Sequence, residues 1–260
     1  MASNMSTLGF DYEDQAGFAD AMTMLANETV EHLSSTKGEY AIWRSRTGAE
    51  IWFHLSAPGE GGERDIIGLT PFFEGRSDNL MSITHVIRRP DDNLLEGAFY
   101  AWMAPDAETG EGSYPVVFDA VDFAAQSDRE PPLHVGVRLT GFARELRCFP
   151  TEAAFTSATA GNGQQLAPKA FIPIGLFAAA SATEERDADE PPSSTAIITG
   201  RVLEHRLLTN EATAQCFHWL LVESLDASFD IVADPDVVTG EIVNGGTVEC
   251  ACWLVGRVLG

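Results

Sequence analysis

Two sets of side chains in this chain have the types and spacing to hold a divalent metal ion. The first is His205, Cys216, His218, Cys250 and Cys252. Residues two apart in a strand share a face, so Cys216 projects with His218, and Cys250 with Cys252, if both segments are extended. Two imidazoles and two or three thiols make a tetrahedral zinc ligand set. Against this, Cys-x-His and Cys-x-Cys are not the spacings of the common zinc knuckles, and free cysteine is often buried for packing reasons alone. On that competing reading the thiols are small core residues and the two histidines lie at the sheet surface. The second set is Glu50 and His54, which share one strand face with Trp52.

Weaker candidates are Asp119 and Asp122, a carboxylate pair that a surface turn would leave solvated. Arg88 and Arg89, the densest basic spot, could grip an anion or form salt bridges within an acidic protein. Other templates are absent: there is no Gly-x-Ser-x-Gly elbow, no His-Glu-x-x-His, no Gly-x-Gly-x-x-Gly and no Cys-x-x-Cys. Gly161-Asn162-Gly163 reads as a turn, since a phosphate loop needs more glycines and a Lys-Ser/Thr ending. No catalytic residue is assigned.

The elements that must position these groups are mostly strands. Residues 195–260 read as a β-meander: Ile197 to Leu203 and Cys252 to Leu259 form its margins, and both contain Gly-Arg-Val-Leu. Five short strands, including Phe229 to Ala233 and Gly240 to Val243, predict a small barrel-like sheet that matches OB-folds in strand number, its closure removing exposed edges. A four-residue turn at 210–213 sets Thr209 against Ala214, hence His205 opposite His218, Leu203 opposite Leu220 and Arg201 opposite Val222.

In the amino-terminal part, Phe18, Met22, Leu25, Thr29 and Leu33 recur at helical spacing, with Asp14 placed to cap and Gly38 to end the run. This predicts a helix over about residues 14–33. Glu39 to Ser45 and Ala49 to Leu55 flank a short glycine-containing loop and predict an antiparallel hairpin, followed by a strand at Ile66 to Phe73. With an extended start near Leu8-Gly9-Phe10, residues 1–75 read β-α-β-β-β. Strands are expected at Leu80 to Arg89, Gly97 to Met103, Tyr114 to Phe118 and His134 to Phe149, with a turn at Pro90 to Asn93 and a brief helix at Thr151 to Ala160. Phe171 to Phe177, punctuated by proline and glycine, reads as a buried connection. The acidic, proline-terminated run at 183–194 cannot offset its ordering entropy and marks a linker between an α+β, β-rich part (1–182) and the small sheet domain (195–260).

Composition bounds the rest. Apolar residues make up 45% of the 260, enough for a substantial core. With 39 acidic against 16 basic residues, the net charge of −23 repels phosphate backbones and anionic lipid heads, which argues against nucleic-acid and membrane partners. Only Lys37 and Lys169 are lysines, a bias that fits either salt adaptation or a GC-rich genome. The four cysteines lack a disulfide framework and read as reduced thiols; with no leader-like or membrane-spanning run, the expected location is the cytoplasm. A small sheet domain has a thin core, so it should lean on the rest of the chain or on a second subunit, and a homodimer is a candidate assembly.

The hairpin Tyr40 to Leu55, its Gly48-Ala49-Glu50-Ile51 phrase and the β-α-β-β-β order resemble one module of the glyoxalase, or vicinal-oxygen-chelate, family. That resemblance implies a divalent metal held by His and Glu side chains on a curved sheet, here Glu50 and His54, although a second module copy is missing. As a whole, the chain is similar to members of a bacterial family with no assigned activity, through Arg88-Arg89-Pro90-Asp91-Asp92, Phe171 to Phe177 and Phe229 to Pro235; this implies a folded module and carries over no functional residue. The resulting expectation is a mainly β, α+β protein with antiparallel sheets that binds or assembles without catalysis. The alternative is a metal-dependent enzyme using Glu50 and His54 or the His/Cys cluster.

Overall fold

Asp14 opens the first helix as its sequence position predicts. In the computed structural model, which describes residues 3–12, 14–106, 109, 111–160, 166–176 and 191–259, α1 spans Gln15–Asn27 and the Asp14 carboxylate accepts the Gly17 N–H at 2.7 Å. The helix ends about six residues before the expected boundary. Glu31–Ser34 is instead a strand, β1, because its backbone finds a partner in β2 (Glu39–Arg44), with Leu33 opposite Tyr40. Leu33 therefore fits a half-buried strand rather than a last helical turn. The expected extended start is also absent, since Ser6–Leu8 forms a single 3-10 turn. β2 forms the expected antiparallel hairpin with β3 (Ala49–Leu55), and β3 also pairs with the strand expected at Ile66–Phe73, β4, to complete a four-stranded antiparallel sheet.

The remaining strands make one larger mixed sheet. They are β5 (Asn79–Ile87), β6 (Ala98–Met103), β7 (Pro115–Ala120), β8 (Leu133–Phe149), β9 (Ala170–Ile172), β10 (Thr195–Thr209), β11 (Cys216–Ser224), β12 (Ala227–Ala233), β13 (Val238–Thr239) and β14 (Thr247–Leu259). Short helices α2 (Phe123–Gln126) and α3 (Glu152–Thr159) sit between them, α3 capped by Thr151. Pairing β8–β14–β10–β11–β12 and back to β8 closes one circuit of five strands. A second circuit runs β8–β5–β6–β7–β14 and back to β8. The two share β8 and β14 as a common wall.

The mainly β, α+β reading holds, and the margins of the tail do meet, with Ile198 opposite Cys250. The tail does not supply all five strands of its own closed sheet, however. Gly240 to Val243 is not a strand. Gly240 has φ +89, and a Cβ there would lie 2.4 Å from the Cys148 carbonyl, so the chain turns away after a brief β13–β8 contact. β8, from the other side of the 183–194 segment, takes the fifth place because its 17 residues outlast any single neighbour. Strands on both sides of that segment thus share one sheet. The linker itself, up to residue 190, and the Gly161-Asn162-Gly163 turn lie outside the described residues.

Strand alternation divides the interior in two. Ile231, Leu254, Leu220 and Phe229 point into the circuits with Ile83, Phe99, Phe118 and Leu139. Val232, Val255, Phe217 and Trp219 point the other way, into a second buried layer shared with the four-stranded sheet, where Phe217 and Trp219 meet Phe73. Phe142 of the shared wall belongs to this second layer and packs on Trp253.

Asp122, expected in a solvated turn, is almost fully buried where α2 meets β14. Burial pushes its carboxyl up to about 6, against hydrogen bonds from Gln126 and the Val258 N–H and the charge of Arg257, which lower it. An aspartate with a folded pKa above its unfolded 3.8 takes up a proton on folding. Its charged form therefore costs stability above pH 6, and the cost fades as pH falls towards 4. Asp122→Asn should be more stable than the parent protein at pH 8 by on the order of 2 kcal/mol, with the gap closing at pH 4.5. Urea unfolding of both proteins at the two pH values checks this; equal pH slopes would refute it.

Candidate functional site

The β10–β11 hairpin decides the fate of the first predicted cluster. Its turn holds six residues, 210–215, so Thr209 stands opposite Cys216, and His205 stands opposite Leu220 rather than His218. Tertiary contacts set that length: buried Asn210 donates through its side-chain amide to the Leu8 carbonyl at 2.8 Å, and the Thr213 hydroxyl donates to the Gly9 carbonyl at 2.6 Å. A bulge between Val202 and Glu204 then leaves Arg201 facing Glu223. A slip of two residues preserves the face, so the imidazoles become diagonal neighbours. His205 Nε2 and His218 Nδ1 lie 2.9 Å apart. Partial burial lowers both pKa values, that of His218 further through the charge of His205.

The cysteines do not join them. Cys216 is exposed, its Sγ 3.5 Å from the Thr209 hydroxyl. Cys250 and Cys252 are buried inside the sheet circuits, where a thiol–thiol hydrogen bond and burial raise Cys250 well above its ordinary range. They pair with Ile198 and Ala196, and Ile198 precedes His205 by seven residues, roughly 20 Å of extended strand. Packing, not ligation, accounts for these two thiols.

Glu50 and His54 also part company, although both are buried on one face of β3. The Glu50 carboxylate accepts from the Trp52 indole N–H at 2.8 Å and from Arg44 Nε. Trp52 stands between it and His54, facing Arg257 of β14 rather than the helix; α1 borders Trp43 instead. His54 meets Thr70 through Nε2 (3.2 Å) and Asn93 and Glu96 through Nδ1 (3.1 and 3.3 Å). The hydrogen bond from His54 holds Glu96 below the usual carboxylate range. Thr70 and Glu96 open onto a cleft of about 200 Å³ that Arg89, Asp92, Asp119 and Trp253 also line. There Asp119 accepts from Arg89 (2.8 Å), Ser194 (2.6 Å) and the Trp253 indole (2.6 Å), so Arg89 serves an internal ion pair. Arg88 lies over the Phe123 ring. Among the described residues, no group of three or more His, Cys, Asp or Glu side chains is placed to hold a metal ion.

A second cleft, of about 290 Å³, opens where the β2–β3 turn, the β4–β5 turn and the hairpin meet. Arg46, Arg76 and Arg206 line it, with Phe73 and Trp219 as its aromatic wall. Arg206 lies over the Trp219 ring and pairs with Glu204, as does Arg76. Glu74, also in the lining, is engaged by Arg138 and Arg257, the latter at 2.6 Å. Beneath, the fully buried Asp230 carboxylate accepts from the Arg76 and Ser77 N–H groups and from the Trp219 indole. Glu211 at the rim takes the Arg46 backbone N–H. Among the described residues the Arg46 guanidinium itself has no carboxylate partner. In a chain with only 16 basic residues, three arginines line this one cleft, and of the three only Arg46 keeps its guanidinium clear of the carboxylates Glu74, Glu204 and Glu211 gathered around it. Sequence patterns could not single them out, because each sits in a different turn or strand.

No protein-family model, curated protein or solved structure matches the chain. Neither sequence resemblance gains support from these comparisons. Among the described residues, no helix is long and apolar enough to cross a membrane.

Proposed function

We propose that the protein is a binding module without catalysis and that its ligand is a small anion seated in the arginine cleft. One observation carries this reading: Arg46, Arg76 and Arg206 converge on an aromatic wall in a chain whose net charge is −23. Guanidinium groups present planar, paired N–H donors that match carboxylate and oxyanion geometry, and Arg46 keeps that capacity uncommitted. The size of the cleft suits one compact anionic group, at the small end of ligand sites. The acidic surface as a whole slows anion approach and excludes polyanions, so a small ligand is favoured over nucleic acid. The metal-dependent alternative has less support, since Glu50 and His54 are each satisfied by separate protein groups.

Calorimetric titration with phosphate, sulfate and acetate at constant ionic strength tests the proposal. At least one anion should bind, and Arg46→Ala or Arg206→Ala should weaken it by tenfold or more. Absence of binding by all three, or affinity unchanged in both variants, would sink the reading.

A further inference from the structure

We infer that His205 and His218 form a two-point site for a divalent transition ion, on the face of the hairpin opposite the arginine cleft. Strand alternation separates the faces. Arg206, Leu208, Phe217 and Trp219 turn towards the four-stranded sheet, whereas His205, Leu207, Cys216 and His218 turn the other way. The ring nitrogens that approach each other, Nε2 and Nδ1, are 2.9 Å apart. Two imidazole nitrogens bound at right angles to one ion, at 2.0–2.1 Å each, are separated by about 2.9 Å. Turning both rings by about 45° out of the shared hydrogen bond, with loss of the bridging N–H proton, aims both nitrogens at one common ion.

That right-angle spacing suits tetragonal copper(II) or nickel(II) better than tetrahedral zinc, which spreads its ligands wider. The site is also held in place before any ion arrives. The hairpin end is pinned by the Asn210 and Thr213 bonds to the Leu8 and Gly9 carbonyls, and Phe217 packs on Phe73 behind it. Ordering costs that weaken two-ligand sites on mobile surfaces are therefore already met by the fold. No other titratable group contributes: Cys216 faces Thr209, and no third His, Cys, Asp or Glu among the described residues completes a cluster. Water fills the remaining positions.

Chelator-treated protein, freed of any affinity tag, should bind one equivalent of copper(II) more tightly than nickel(II), and nickel(II) more tightly than zinc. His205→Ala and His218→Ala should each weaken copper binding at least tenfold, while His85→Ala leaves it unchanged. Copper(II) should also protect only the His205 and His218 imidazoles of the parent protein from carbethoxylation, read by peptide mass spectrometry, a result that needs no variant. Unchanged affinity in the His205→Ala/His218→Ala double variant, or protection mapped to other histidines, would overturn the assignment, as would a parent protein that binds neither copper nor nickel.

Discussion

Asp230→Ala should lower the unfolding free energy by about 3–5 kcal/mol, the cost expected when one partner of a buried charged network is removed. The carboxylate is fully buried on β12 and serves four hydrogen bonds from three donors. The Arg76 N–H reaches both oxygens at 2.9 Å, the Ser77 N–H reaches Oδ2 at 2.7 Å, and the Trp219 indole reaches Oδ1 at 2.8 Å. Alanine strands all three donors where water has little room. Gly75 marks how closely the turn is drawn in, since a Cβ there would lie 2.1 Å from the carboxylate. Asp230→Asn keeps one acceptor oxygen and should cost less. Urea unfolding measures both; a loss under about 1 kcal/mol for the alanine variant would mean that the turn simply re-solvates. Because Arg76 and Trp219 belong to the arginine cleft, anion affinity should fall with stability in this variant.

Phe142→Ala should cost a similar amount, about 3–5 kcal/mol, and for a different reason. Phe142 has no exposed surface and projects from the shared wall into the layer between the two sheets. Its ring packs on Trp253, centroids 5.2 Å apart, and the backbone of β8 is held on both sides, by β14 and by β12. A wall paired on both edges cannot collapse into the vacated space, so the cavity persists. Phe142→Leu should recover more than half of the loss. If the alanine variant unfolds at the same urea concentration as its parent, the two sheets do not depend on this contact.

Much of the local structure was legible because it is written in short-range terms. The Asp14 cap, the 39–55 hairpin, the strand at 66–73 and the brief helix after Thr151 each depend on residues within a few positions of one another. Strand alternation also placed His205 and His218 on one face, and a two-residue error in register left that result intact. Leu33 went astray because a spacing of eight from Leu25 satisfies a helix, while β2 offered its backbone a partner that the helix could not match.

Closure, by contrast, was a matter of lengths and partners far apart in the chain. The sequence alone determined a mainly β chain whose tail margins, read at 197–203 and 252–259, lie within strands that do pair, since turns and alternation are local. Only the folded structure decided that β8 closes the tail, that Cys250 and Cys252 belong to the core, and that Arg46, Arg76 and Arg206 meet around Trp219. The physical reason is that pairing energy between strands depends weakly on which apolar strand is the partner. The choice is made by which strand is long enough, and close enough, to cover both circuits at once.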